Sequence, residues 1–233
     1  MIEGYIPKNE RKKIILLCDD IRMHSGIATM AREFVVHLSH KYNWFQLGAA
    51  LKHPDQGKTF DISQDVGKRK GINDADVKVM SWNGYGDAGV VRNLIAKEQA
   101  DAIFIFTDPR YWVWLFEIER EVRSKIPIFW LNIWDDYPAP MYNRSYYESV
   151  DLLMGISKQT VNINKLVLEE KAKDKVIEYV PHGIDEKDFF PIREGHELYP
   201  KLLEFKKQTV PVDAEFIVYF NSRNIHRKRP GDT

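Results

Sequence analysis

The chain predicts an α/β fold, a parallel sheet flanked by helices, on three observations. Short, nearly continuous apolar runs recur along it, among them Lys13 to Cys18, Ala102 to Phe106 and Ile126 to Ile133. Such runs are the pattern of strands covered on both faces. Between them lie segments whose apolar residues return at helical spacing. The connections are short, and strand alternating with helix on short connections is the pattern of crossover units in one sheet.

The elements can be taken in order. Lys13 to Cys18 is the first central strand; Asp19 to Ser25 turns, and Ile27, Met30, Ala31, Phe34, Val35 and Leu38 form one helical stripe. Trp44 to Leu51 is the second strand. Lys52 to Asp76 shows little periodicity and carries the basic run Lys68-Arg69-Lys70, so it reads as the longest irregular segment, of a length that is usually functional or mobile. Val77 to Trp82 returns to strand, Asn83 to Gly86 turns, and Val90 to Gln99 is helical. Ala102 to Phe106 is a buried strand, and Tyr111 to Lys125 an aromatic-rich helix. Ile126 to Ile133 is the next strand and ends in the loop Trp134 to Pro140. Asp151 to Ile156, a helix from Ser157 to about Lys171, and Val176 to Val180 complete the alternation. Leu198 to Lys207 is then helical, and Glu215 to Phe220 reads as a strand of the buried type whose sheet partners do not follow.

Composition excludes several classes. A length of 233 residues fits one large domain, or one domain and part of a second. Hydrophobic residues make up 44% and aromatics 12%, enough for a packed core. The 34 basic residues balance 34 acidic ones, so no global field draws the protein to nucleic acid. Cys18 is the single cysteine and forms no intramolecular disulfide, which fits a reducing compartment. The polar start of the chain lacks a signal-peptide core, and no apolar run is long enough to span a bilayer, so the expected location is the cytoplasm.

Four constellations can carry chemistry. The loop Asp19 to Gly26 runs from a strand end to a helix start, where free amides and the helix dipole favour an anion. Ser25 and Gly26 are therefore candidate phosphate-binding residues, with Ser25 as a plain helix cap the competing reading. One glycine does not make the dinucleotide fingerprint. Trp134-Asp135-Asp136-Tyr137 also follows a strand, and its carboxylates can bind sugar hydroxyls or solvate the loop; a metal is not expected, since no further oxygen ligands are spaced for one. Ser157 caps a helix. Arg223 and Lys228, five apart after an apolar strand, offer a planar fork and a point charge to a diphosphate. With Arg227 and Arg229 they also read as a basic tail able to meet nucleic acid.

The stretch Tyr179 to Pro191 closes one α/β unit. Pro181 ends a strand, Gly183 allows a positive φ, Asp185 and Asp188 look like an N-cap pair, and Phe189 and Phe190 are apolar anchors before Pro191. It resembles the proline, asparagine, glycine, isoleucine, aspartate signature of retaining family-four glycosyltransferases of the GT-B fold, with His182 in place of the asparagine. Arg223 and Lys228 match the pair that binds the donor pyrophosphate in that family, although Arg229-Pro230 follows where glycine is usual. Ser25-Gly26-Ile27 stands where the family has a glycine-rich loop facing the donor. Asp135 follows Trp134 where the family has histidine and aspartate, which leaves His24 and Asp135 as catalytic candidates and Asp135, Asp136 and Tyr137 as sugar- or acceptor-binding residues.

The resemblance implies a Rossmann-like acceptor domain over residues 1–192. Residues 193–233 would form a linker helix and the first strand of a truncated donor-binding domain. It also implies transfer of a sugar from a nucleotide-sugar donor to a hydroxyl of a glycan, lipid or other acceptor, with no cofactor and no essential metal. The family's paired-glutamate motif is absent from the chain, so the fragment alone is expected to be inactive without a C-terminal partner domain. The alternatives are a non-catalytic glycan- or partner-binding module, or a sugar-nucleotide epimerase of GT-B type.

Overall fold

A computed structural model describes residues 2–49, 52 and 55–221. The chain divides into a first compact unit, Met1–Gly183, and a second that begins at Ile184.

In the first unit, β1 (Lys12–Asp19) leads to α1 (Gly26–Leu38), β2 (Tyr42–Ala49), β3 (Thr59–Asp61), α2 (Ser63–Lys70) and β4 (Val77–Ser81). Then come α3 (Ala88–Glu98), β5 (Ala102–Phe106), the short helices α4 (Val113–Glu117) and α5 (Glu119–Arg123), and β6 (Ile128–Asn132). The unit closes with α6 (Arg144–Glu148), β7 (Leu152–Gly155), α7 (Lys158–Leu168) and β8 (Val176–Tyr179). The strands form one sheet in the order β3-β4-β2-β1-β5-β6-β7-β8, parallel throughout except where β3 pairs with β4. The register sets Leu17 beside both Leu47 and Ile105.

Each central strand feeds two cores because successive side chains point to opposite faces. Ile15 and Leu17 pack with Val91, Leu115, Trp130 and Tyr147 beneath α3 to α7, while Ile14, Leu16 and Cys18 pack with Ala31, Val35 and Val66 beneath α1 and α2. That division explains the unbroken apolar run in the sequence. On the second face, over β5 to β7, Phe104, Phe129, Leu152 and Met154 line an open groove of about 500 Å³.

Three expectations about the first unit need correction. The segment from Lys52 to Asp76 is not simply irregular, since it holds β3 and α2; β3 covers the edge of β4, and α2 buries only Val66 and Gly67, too little to give a periodic signal. The helix expected over Tyr111 to Lys125 is a 3-10 turn (Pro109–Trp112) and two short helices separated at Ile118, whose backbone is not helical. Gly183 does not take a positive φ, so its place in the turn does not depend on glycine's freedom there.

In the second unit, Asp185 and Asp188 do not cap a helix; the Asp185 carboxylate accepts from the Lys187 amide at 2.9 Å in a tight turn. α8 (Tyr199–Thr209) follows and buries none of its residues. Glu215 to Phe220, expected as a strand, is neither paired nor buried: Phe216, Val218 and Tyr219 are exposed. A strand needs a neighbour for its backbone groups, and among the described residues none lies beside it. Among the described residues, no helix is long and apolar enough to cross a membrane.

The lower end of the first unit is pinned by Arg11, whose side chain is fully buried. Its guanidinium donates to the Ile6 and Asp74 carbonyls at 2.6 and 2.8 Å and to the Asp74 carboxylate at 2.7 Å. Removing it takes a donor from both carbonyls and leaves the Asp74 carboxylate with the Tyr5 hydroxyl and the Lys8 amide alone. Arg11→Ala should therefore lower stability by about 3 kcal/mol, read from the urea midpoint. His40, buried between α1 and β2, gives a pH test. Burial, then the charges of Lys70 and Lys41, push its imidazole below the ordinary histidine value. The unfolded chain binds that proton more readily, so stability is full above about pH 6.5 and falls as pH drops through the lowered value. His40→Gln should flatten the acid side of the stability profile; an unchanged profile would refute this.

Candidate functional site at the C-terminal rim

Seven of the strands run the same way, so the loops after them gather on one rim. Strand order reverses at β1: the chain goes outward through β2 and β4, then returns to place β5 on the other side of β1. The crevice between the loops after β1 and β5 is the switch point at which open α/β sheets bind ligands.

Asp19, at the end of β1, organises this crevice. Its nearly buried carboxylate accepts from Ser25 Oγ at 2.8 Å and from the Tyr85 hydroxyl at 3.0 Å. Ser25 Oγ in turn accepts from the Ala28 amide at 3.0 Å, so the serine caps α1 while it satisfies the aspartate. The Tyr85 ring stacks on Tyr111 with centroids 4.0 Å apart and meets Trp112 edge-on. Loops after β1, β4 and β5 are thus joined through one carboxylate and one phenol. Burial, with the charge of Asp19, pushes the Tyr85 hydroxyl well above its ordinary value and keeps it a donor.

Asp20 is fully buried and accepts from Arg22 Nε and Nη2 at 2.9 and 2.5 Å. Arg22 also donates to Ser81 Oγ at 2.8 Å and lies over the Phe60 ring, 4.5 Å from its centroid. Gly48 makes room for this pair: a Cβ there would come within 2.7 Å of the Asp20 carboxylate. Gln46, on buried β2, donates to the Asp19 carbonyl at 2.8 Å and accepts from the Ile21 amide at 3.1 Å, fixing the start of the loop.

Beyond β5 the rim is equally well determined. Thr107 has φ 132°, a conformation a β-branched residue rarely adopts, and its carbonyl accepts from the Trp130 indole at 3.1 Å. Asp108 accepts from the Arg110 amide and, at 2.9 and 2.8 Å, from its guanidinium. Although burial works against the Asp108 carboxylate, Arg110 holds it below the ordinary range. Asn132, buried at the end of β6, donates to the Tyr147 hydroxyl and to Asn164 Oδ1 and accepts from the Trp134 amide. Between Asp108-Pro109 and Asn132 to Asp136 lies an open cleft of about 240 Å³. Its loop is tethered to α7, where Gln159 donates to the Asp135 carbonyl and Asn162 to the Tyr137 hydroxyl. The Tyr137-Pro138 bond is cis.

The structure brings most of the sequence-predicted residues to this rim. Ser25 and Gly26 begin α1, His24 is exposed in the same loop, and Asp135, Asp136 and Tyr137 are exposed beyond β6, with β5 between the two groups. His182 stands edge-on to Phe106, 5.8 Å between ring centroids. Ser157 caps α7 by accepting from the Thr160 amide. Arg223 and Lys228 lie outside the described residues. Sequence reasoning assigned no role to Asp19, Tyr85, Tyr111 or Thr107. The strand-ending pair Asp19-Asp20 was the only available signal, because the Tyr85 contact spans 66 positions.

No protein-family model matches the chain. No curated protein matches it either. Among solved structures it is similar to the crystal structure of a glycosyltransferase from Rickettsia africae ESF-5, with a TM-score of 0.53 and 13% identity over 88% of this chain and 51% of that one. The chain shares a glycosyltransferase's fold. It spans about half the length of that glycosyltransferase, and at this identity the likeness is one of fold.

The Asp19 contacts can be tested directly in this chain. Tyr85→Phe should cost about 1 kcal/mol of stability and remove one late-ionising tyrosine from an alkaline absorbance titration. An unchanged titration curve would show that the Tyr85 hydroxyl is not held by Asp19.

Proposed function

We propose that this chain is the acceptor-side part of a retaining glycosyltransferase of the GT-B type and of the family-four kind. A second, donor-binding Rossmann-like domain completes the enzyme. The observation that carries the reading is the sharing of one rim by the start of α1 and the Trp134 to Tyr137 loop, on either side of β5. Free amides at a helix start favour the negative charge of a diphosphate, while carboxylates and aromatic rings suit the hydroxyls and apolar faces of a sugar. The likeness in fold to a glycosyltransferase supports it.

The reaction moves a sugar from a nucleotide-sugar donor to an acceptor hydroxyl. Charge gathers on the leaving diphosphate, and groups already aimed at it stabilise the transition state without rearranging. Ser25 and Gly26 face the donor phosphates from this side. Arg223 and Lys228 grip the diphosphate from the other domain. His24 and Asp135 are the residues of this chain closest in role to the reacting sugar, and Asp136 and Tyr137 hold the acceptor.

The test uses the complete enzyme with a panel of nucleotide sugars and acceptors, following release of nucleoside diphosphate and the anomeric configuration of the product. Transfer with retention is expected, and Lys228→Ala should lower kcat by roughly two to three orders of magnitude with little change in acceptor binding. Failure to cleave any nucleotide sugar would overturn the reading. Tight binding of nucleoside diphosphate by the 233-residue chain, equal to that of the complete enzyme, would instead place the phosphate site wholly in this part.

A further inference from the structure

We infer that Asn132 is a positioning residue, the side chain that sets where the loop after β6 holds Asp135 and Tyr137. The inference rests on the transferase reading above and adds a residue which that reading does not use. Asn132 ends β6 and is fully buried, although it is polar and borders the cleft. A buried amide is stable in such a place only if its own hydrogen bonds are made.

The side chain bonds through both its oxygen and its nitrogen, and each bond reaches a different segment. Oδ1 accepts from the Trp134 amide at 3.1 Å and so fixes the first turn of the loop. Nδ2 donates to the Tyr147 hydroxyl at 3.0 Å, on α6 where the chain goes after the loop, and to Asn164 Oδ1 at 2.7 Å, on α7. The orientation is not arbitrary. A backbone amide can only donate, so the oxygen must face Trp134 and the nitrogen must face the interior. One side chain thereby joins the entry of the loop, the helix after its exit and the helix behind it. The hold passes outward, because the Trp134 indole donates to the Asp136 carbonyl at 3.0 Å and the Asp136 carboxylate accepts from the Tyr137 amide at 2.9 Å.

The relative strength of the tethers singles out Asn132. Gln159 and Asn162 also reach the loop, but through exposed bonds that water replaces at little cost. Tyr147 and Asn164 are fully buried, so solvent has no ready access to replace the Asn132 amide. A shift of about 1 Å in a group that must meet a reacting sugar is enough to cost a large factor in turnover. The buried, unpaired Nδ2 of Asn164 supplies a control. With aspartate at position 132, Asn164 can turn and donate through that nitrogen, the Tyr147 hydroxyl can donate instead of accepting, and the Trp134 amide keeps its acceptor. Leucine, of similar size, offers no polar atom to any of them.

The experiment compares Asn132→Leu with Asn132→Asp, by site-resolved amide exchange in the 233-residue chain and by steady-state kinetics in the complete enzyme. In the leucine variant the Trp134 amide should exchange at least about tenfold faster, over and above any rise shared by the core amides of Leu16 and Ile105, and the aspartate variant should recover most of that protection. In the complete enzyme leucine should lower kcat by about tenfold or more with the donor KM within about twofold, and aspartate should restore at least about a third of the lost turnover. A rise in exchange equal at Trp134, Leu16 and Ile105, with the two variants alike, overturns the inference and leaves Asn132 a plain packing residue. Wild-type kcat in a leucine variant whose Trp134 amide is freed overturns it too, and leaves the transferase reading standing. If the leucine variant does not fold, Tyr147→Phe decides: it removes one of the three bonds and should speed Trp134 exchange by about threefold relative to the core, and no change overturns the inference. A Trp134 amide freed by leucine and protected by aspartate, in a protein whose unsubstituted complete form cleaves no nucleotide sugar, supports the hold of Asn132 on the loop and removes only the transferase reading.

Discussion

The parallel pairing of seven strands is the constraint on which the rest depends. Parallel neighbours cannot be joined by tight hairpins, so each return between these seven is a crossover, and all seven end on the same side. Functional loops are therefore collected by topology before any side chain makes a contact. β1 sits at the middle of this order, and its last residue, Asp19, ties its own loop, through Ser25, to the loop after β4, through Tyr85.

Much of this architecture was legible in the sequence because burial on two faces leaves a strong mark. β1, β5 and β6 announce themselves as apolar runs, and α1 and α7 carry capping serines at the expected places. The failures fall where burial is slight or partners are remote. α2 has too few buried residues to show a period, and the break at Ile118, where the backbone leaves helical dihedrals, falls within a largely apolar stretch that carries no proline or glycine to announce it. Glu215 to Phe220 has a strand's composition without a strand's neighbours among the described residues, and composition alone cannot supply them.

The rim was legible in outline only. Strand ends and helix starts gave the positions of Ser25, Gly26 and Asp135, since these follow from element order. The polar network did not follow from it, because each of its bonds joins residues far apart in the chain. Gly48 illustrates the difference: as a residue it looks like a flaw in a strand, yet in the structure it is the gap that admits the Asp20 carboxylate. Gln46 is similar, a polar residue on a buried strand that closes two backbone hydrogen bonds of the loop beside it.

Thr107 joins the core to the rim in another way. Its backbone is held in a region that costs on the order of 1–3 kcal/mol, and the Trp130 indole that steadies its carbonyl belongs to the packed interior. The tryptophan thus acts as a latch on a bent spring. Loss of that one indole hydrogen would let the loop after β5 relax to an ordinary conformation and draw Asp108 away from the cleft, with no substitution at the rim itself. Inherited changes deep in the sheet can therefore alter the shape of this rim.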